Sequence, residues 1–180
     1  MIRALVPLAD GVEEMEAVII VDVLRRARWQ VTVAGLDAAP VVASRGVKLV
    51  PDAAWPAIDI AGHDVLALPG GSAGAKALMA DRRVLDAVRQ FTEAGKLVGA
   101  ICAAPLVLQA AGVLRGRRAT CHPAVRDRLT EPTPSDDRVV VDGRIVTSQG
   151  PGTAFEFALT LIRLAGSPAE AEAVAKGLVL

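Results

Sequence analysis

Apolar positions along this 180-residue chain fall into two rhythms that take turns from one end to the other. Short apolar runs with the length and composition of strands occupy Arg3–Leu8, Gln30–Ala34, Asp64–Leu68, Leu97–Ile101, Arg118–Cys121, Arg138–Val141 and Arg144–Ser148. Between them lie segments with helix-like patterning: Glu13–Arg28, Ala73–Ala80, Arg82–Ala94, Ala103–Gly112, Pro123–Leu129, Thr153–Leu164 and Pro168–Lys176. Val41–Val50, with Gly46 inside it, reads as a short hairpin or bulged strand pair. This alternation predicts α/β layers, a mostly parallel sheet flanked by helices, in a single domain over residues 1–180. The stretch Glu131-Pro132-Thr133-Pro134-Ser135-Asp136-Asp137 is expected to be a surface loop.

The first helix departs from the usual pattern. Val18, Ile19, Ile20, Val21, Val23 and Leu24 leave almost no polar face beyond Asp22. A surface helix carries one apolar stripe, so a helix apolar nearly all round needs a second cover besides its own sheet. A symmetric copy of the same helix supplies one, which predicts a homodimer through this element.

Composition narrows the classes. Hydrophobic residues make up 52% and aromatics 3%, so the core must be built from Val, Leu, Ile and Ala. Twenty basic residues balance twenty acidic ones, and no basic stripe interleaved with aromatics offers a nucleic-acid surface. No apolar run reaches the ~18 residues of a membrane span, and Met1–Leu8 reads as a strand rather than a signal-peptide core. With only Cys102 and Cys121, a disulfide framework is not expected and a cytoplasmic setting is the default. No C-x-x-C or comparable spacing suggests zinc, and neither metal nor cofactor is expected.

In open α/β sheets, ligands bind beyond the carboxyl ends of the strands, so the residues that follow strand runs carry the chemistry. Cys102 follows Leu97–Ile101 and precedes an alanine-rich helical stretch, the setting of a nucleophile elbow with sulfur in place of a hydroxyl. A helix amino terminus beneath the sulfur would favour thiolate. After Arg3–Leu8, the carboxylates Glu13, Glu14 and Glu16 crowd a helix opening. Glu16 leads straight into an apolar segment, where desolvation would raise its pKa and let it donate a proton to a neighbouring thiolate. Glu13 and Glu14 read as N-terminal charge decoration. After Asp64–Leu68 comes Pro69-Gly70-Gly71-Ser72, which lacks the P-loop and dinucleotide signatures but lets backbone N–H groups approach a ligand. The N–H groups of Gly71 and Ala103 are candidate oxyanion donors, with Gly70 beside them. His122, where Arg118–Cys121 ends, is a candidate acid/base partner. Strand alternation would turn Cys121 away from it. His63 precedes a strand, at the wrong edge of the sheet.

Taken together, Gly11-Val12-Glu13-Glu14-Met15-Glu16, Leu68-Pro69-Gly70-Gly71, Ala100-Ile101-Cys102-Ala103-Ala104-Pro105, Cys121-His122-Pro123 and Thr147-Ser148-Gln149-Gly150-Pro151-Gly152-Thr153 resemble the ThiJ/PfpI superfamily. The resemblance is to the branch of the parkinsonism-linked protein and its bacterial relatives, and it runs in order from Ile2 to Leu180. It implies a flavodoxin-like three-layer sandwich, close to class I glutamine amidotransferases, and a homodimer. It also implies roles: Cys102 as the reactive cysteine, Glu16 as its protonated hydrogen-bond partner, His122 nearby, and Gly71 and Ala103 as backbone donors. Arg25, Arg26 and Arg45 fall where the family keeps polar groups near the dimer interface. Cys121 and Gln149 depart from the parkinsonism protein, and its secondary cysteines correspond to Ala43 and Val50. A glutamine amidotransferase would need a His-x-Glu after the site, whereas Pro123-Ala124 follow His122. The protease-like branch carries histidine directly after the cysteine, where this chain has Ala103. The activity implied is glutathione-independent conversion of methylglyoxal to lactate, with deglycation of adducts on side chains as a linked reaction. The alternative is a redox sensor or holdase chaperone that uses an oxidisable Cys102.

Overall fold

The first strand, β1 (Arg3–Leu8), is buried from Ala4 onward and is paired in parallel on both sides. A strand covered on both faces needs a continuous apolar run rather than alternation, and Ala4-Leu5-Val6-Pro7-Leu8 supplies it. The computed structural model describes residues 1–180. In chain order, α1 (Glu14–Arg26), β2 (Gln30–Gly35), β3 (Val41–Val42), β4 (Lys48–Leu49), β5 (Ala53–Ala54) and β6 (Val65–Leu68) follow β1. Then come α2 (Ser72–Ala80), α3 (Arg82–Glu93), β7 (Leu97–Ile101), α4 (Pro105–Ala110), β8 (Arg118–Ala119) and β9 (Thr133–Pro134). The chain ends with β10 (Val139–Asp142), β11 (Ile145–Ser148), α5 (Ala154–Ala165) and α6 (Pro168–Gly177).

Seven strands form the central sheet in the order β10-β11-β7-β6-β1-β2-β5. All neighbours run parallel except the β10–β11 hairpin at one edge. Helices α1, α5 and α6 pack together on one face, and α2, α3 and α4 on the other, giving three layers. The order reverses at β1, whose neighbours β2 and β6 leave on opposite sides, and this is where an α/β sheet opens a crevice at its carboxyl edge. The ends of β1, β6 and β7 meet there. No helix is long and apolar enough to cross a membrane.

Val41–Val50 forms the expected hairpin, with β3 antiparallel to β4. Four expectations need correction. The Arg118–Cys121 run is a strand only over Arg118–Ala119, and it pairs with β9 outside the main sheet. Thr120 and His122 break off because their N–H groups go to Thr147 Oγ1 (3.0 Å) and the Cys102 carbonyl (2.9 Å) instead of a ladder. The Glu131–Asp137 loop contains β9, so it is not wholly irregular. Pro123–Leu129 is a 3-10 helix over Pro123–Arg128. The helix after Cys102 starts at Pro105, because Cys102–Ala104 form a turn and Pro, lacking an N–H, suits the first helical position. The edge strand β5 was not visible in the sequence, since two alanines carry no strand pattern.

Gly99 sets how closely the α5 layer approaches the strand that carries Cys102. A Cβ there would lie 2.7 Å from Phe157 Cζ and 3.0 Å from Leu161 Cδ2, both on α5. Gly99→Ala is expected to destabilise the fold by about 1–3 kcal/mol through overpacking. Denaturant unfolding measures the loss, and Phe157→Leu in the same chain should restore part of it.

Candidate active site

Cys102 sits at the tip of β7 with φ +64, in the left-handed region that a residue with a Cβ enters at a cost of about 1–2 kcal/mol. Hydrogen bonds on both sides of the residue hold it there. Its N–H donates to the Ser148 carbonyl at the end of β11, and its carbonyl accepts from His122 N–H, both at 2.9 Å. The strained turn aims the side chain across the crevice toward the ends of β6 and β1. This is the elbow predicted from the sequence.

Glu16 meets it from the other side. Glu13 caps α1 through its side chain, which accepts from Glu16 N–H at 2.8 Å, and so fixes the first turn with Glu16 facing inward. The Glu16 side chain has no exposed surface. Its Oε2 accepts from Gly70 N–H at 2.7 Å, while Oε1 has no nitrogen or oxygen partner. Gly70 permits this approach by lacking a side chain: a Cβ would lie 2.6 Å from Cys102 Cβ and 2.8 Å from Glu16 Oε2. The Gly70 N–H is therefore spent on Glu16 and is not available as an oxyanion donor, contrary to the sequence expectation. The Gly70 carbonyl accepts from Glu13 N–H at 3.0 Å, which turns the next N–H, that of Gly71, toward the sulfur. Gly71 takes φ +88, and a side chain there would run into the Gly11 carbonyl.

The protonation of the pair follows from burial. Burial pushes Glu16 from an ordinary 4.5 up to about 7, against the Gly70 and Cys102 hydrogen bonds, and the Glu13 charge adds to the push. Burial also pushes the Cys102 thiol up to about 12, with the Glu16 charge next; the Gly71 and Ala103 N–H groups pull the other way without prevailing. The expected low thiol pKa is not found. Cys102 is only 9% exposed, and the helix that would have supplied a dipole is a six-residue segment beginning three positions later. Near pH 7 the sulfur keeps its proton and Glu16 stands at the midpoint of its own titration, so the desolvated carboxylate form takes over as pH rises further. Moving that proton to Glu16 creates the thiolate without changing the charge of the pair. It also turns Glu16 from the acceptor of the thiol's hydrogen bond into a donor to the thiolate.

His122 lines the same cavity as Cys102. Its Nδ1 accepts from Ala124 N–H at 3.1 Å, so the neutral ring carries its proton on Nε2 and is a donor. Gly150 backs the ring, since a Cβ there would lie 3.2 Å from His122 Cδ2. Cys121 turns away into a separate recess of about 10 Å³, as expected, although both residues lie on irregular backbone, so strand alternation is not what separates them. Burial raises the Cys121 thiol as well. His63 is buried at the opposite edge, held by the Asp59 carbonyl at 2.8 Å and Thr32 Oγ1 at 3.2 Å.

The cavity over Cys102 has a volume of about 690 Å³ and is bordered by Gly71, Ala103 and His122. Ser44 and Arg45, from the β3–β4 turn, also border it, and sequence reasoning gave them no catalytic place. The signal was Glu14, read as charge decoration. Glu14 is buried and accepts from Ser44 Oγ and Arg45 N–H, each at 2.7 Å, clamping the turn against the site. Burial works to raise its pKa, but Glu14's own backbone N–H, these two donors and the Val47 N–H together outweigh it and hold the carboxyl below its ordinary value.

The model of the DJ-1/PfpI family matches residues 2–164. The chain belongs to the DJ-1/PfpI family. Over 162 residues it is 46% identical to Protein DJ-1 homolog B of Arabidopsis thaliana, covering 89% of this chain and 37% of that longer protein. It is 38% identical over 179 residues to the glutathione-independent glyoxalase DJR-1.2 of Caenorhabditis elegans, covering 98% and 94% of the two. The crystal structure of Drosophila melanogaster DJ-1beta superposes with a TM-score of 0.96 at 43% identity, covering 99% and 98%. The elbow of this DJ-1/PfpI chain thus lies in the fold its sequence predicted.

Two measurements check the electrostatics. Between pH 4.5 and 7 the folded chain keeps a Glu16 proton that the unfolded chain releases. The stability associated with that proton is full below 4.5 and lost as pH rises through about 7, a change of about 3 kcal/mol. Glu16→Gln cannot ionise, so its stability relative to wild type should improve by about that amount from pH 4.5 to pH 8 in denaturant unfolding. A pH-independent difference would mean an ordinary carboxylate. Iodoacetamide followed by peptide mapping should modify Cys102 well before Cys121, with the Cys102 rate rising as pH passes about 7 and that step missing in Glu16→Gln.

Proposed function

We propose that this chain is a glutathione-independent glyoxalase that converts methylglyoxal to lactate, with deglycation of early carbonyl adducts as the same chemistry on a larger substrate. The observation that carries the reading is the buried Glu16 carboxyl against Cys102 at the floor of an open cavity, with one proton to share. The glyoxalase name of a relative aligned over nearly the whole chain supports it.

Glu16 takes the thiol proton, and the Cys102 sulfur attacks the aldehyde carbon of methylglyoxal, forming a C–S bond. The aldehyde oxygen becomes an alkoxide beside the Gly71 and Ala103 N–H groups and receives the proton back from Glu16, giving a hemithioacetal. Glu16, a carboxylate again, removes the hydrogen on that carbon. The electron pair moves onto the neighbouring carbonyl oxygen, which His122 Nε2–H polarises, and an enediolate forms. Glu16 returns its proton to the second carbon while the hydroxyl proton on the first carbon passes to the second oxygen, leaving a lactoyl thioester. Water adds to the thioester carbonyl, the C–S bond breaks, and lactate leaves as Cys102 regains its proton. Overall, methylglyoxal and one water become lactate and one proton.

A homodimer through α1 belongs to the same reading. On α1, Ala17, Ile20, Val23 and Leu24 are buried within the chain, while Met15 is 56% and Val18 51% exposed. Val50, 75% exposed, continues the patch, and Val18, Val21, Leu49 and Val50 line a groove of about 300 Å³ there. A second copy of α1 covers this face and braces the helix whose first turn carries Glu16.

Purified protein should release lactate from methylglyoxal without glutathione, and Cys102→Ser should lower the rate by at least about a hundredfold. Absence of lactate from wild type, with Cys102 reduced, would overturn the assignment. Light scattering at micromolar concentration should give twice the 18.6 kDa chain mass. A single-chain mass with full activity would remove the dimer.

A further inference from the structure

Two arginines, Arg45 and Arg128, border the Cys102 cavity, and neither has a carboxylate partner. Ten of the other fourteen arginines face a carboxylate, as in Arg25 with Asp52, Arg83 with Asp81, Arg117 with Asp142 and Arg138 with Glu156, while Arg3, Arg28, Arg144 and Arg163 lie outside the cavity without one. At the cavity the backbones are fastened and the head groups are left open. Arg45 N–H is held by buried Glu14 at 2.7 Å, and its guanidinium reaches only the neighbouring Ser44 carbonyl, at 3.4 Å. The Arg128 carbonyl accepts from Gln109 Nε2 at 2.9 Å, and Gln109 Oε1 accepts from Thr130 and Glu131 N–H at 2.8 and 3.1 Å. Gln109 thus staples the segment that carries Arg128. The one carboxylate lining the cavity, Glu13, is turned to its own helix, where Oε2 accepts from Glu16 N–H at 2.8 Å. His122, the remaining titratable group on the wall besides Cys102, has Nδ1 committed to Ala124 N–H.

We propose that Arg45 and Arg128 form an anion subsite over Cys102, so that the preferred substrates are carbonyl compounds bearing a carboxylate. The inference rests on the reading of Cys102 as a nucleophile toward carbonyl carbon. A guanidinium fork matches a planar carboxylate in shape as well as charge, and arginine stays charged at any working pH. Inside a concave site with low-dielectric walls, unmatched positive charge raises the local concentration of an anion and its rate of encounter. A neutral dicarbonyl gains nothing from either arginine until its product becomes a carboxylate. A substrate that already carries one is held throughout.

Charge-matched alkylating agents read this directly. Iodoacetate and iodoacetamide are attacked at the same carbon: the sulfur forms the new C–S bond and iodide leaves with the C–I pair. They differ only in a carboxylate or an amide. The quantity measured is the ratio of their rate constants at Cys102, by peptide mapping of the intact protein. Arg45→Gln and Arg128→Gln should each lower the iodoacetate-to-iodoacetamide ratio roughly threefold or more, and the double variant roughly tenfold. Lysine at both positions should keep most of the wild-type ratio, while Arg163→Gln, on α5 outside the cavity, should leave it unchanged. The wild-type advantage should shrink between 0.1 M and 1 M salt, as the screening length falls from ~10 Å to ~3 Å. Glyoxylate should protect Cys102 from iodoacetamide at lower concentration than acetaldehyde does, and lose that advantage in the double variant. An equal ratio in wild type and double variant would overturn the subsite, even if methylglyoxal is turned over. A shifted ratio without lactate formation would count against the glyoxalase reading and leave the subsite standing.

Discussion

One buried carboxyl group organises this molecule's chemistry. Glu16 has no exposed surface, takes a single backbone hydrogen bond from Gly70, and leaves its other oxygen to the neighbourhood of the Cys102 sulfur. A carboxylate so placed is costly, and burial accordingly raises its pKa to about 7. Several otherwise unrelated features exist to keep it there. Glu13 caps the helix so that its first turn is fixed, Gly70 has no side chain to hold the sulfur and the carboxyl apart, and Cys102 accepts a left-handed backbone to meet it.

The same constraint accounts for how a thiol that burial makes less acidic can still react. The pair needs no permanently ionised sulfur, because proton transfer to Glu16 conserves its charge and keeps the hydrogen bond between the two, with donor and acceptor exchanged. The Gly71 and Ala103 N–H groups act in the same direction without having to overcome desolvation alone. Around this centre the wall is polar in a directed way. His122 presents a donor, and the β3–β4 turn brings in Arg45 because Glu14 fastens that turn to α1. One short stretch, Glu13-Glu14-Met15-Glu16, therefore caps a helix, clamps a loop, exposes an apolar side chain on the α1 face and supplies the proton carrier.

What the sequence by itself determined is considerable: the layered α/β architecture, nearly every strand and helix of the sheet sandwich, the hairpin at Val41–Val50, and the elbow at Cys102. These are local statements, because apolar periodicity and strand-to-helix junctions are written in neighbouring residues. The gathering of Glu16, Gly71 and Ala103 around the sulfur was legible for a related reason, since in a parallel sheet the residues after each strand share one edge, whereas His122 reaches the same cavity from a segment outside that sheet. Tertiary structure alone decided the rest. Whether Cys102 is acidic depends on how much water reaches it and on the charge of Glu16, and neither is a property of its segment. The Gly70 N–H went to Glu16 instead of to a ligand because two elements distant in sequence meet there within 2.7 Å. The strand before His122 stopped at Ala119 because its next N–H groups found partners in Thr147 and Cys102, across the fold. Patterning along the chain places side chains on elements. Burial, charge and competition for each hydrogen bond arise only where those elements touch.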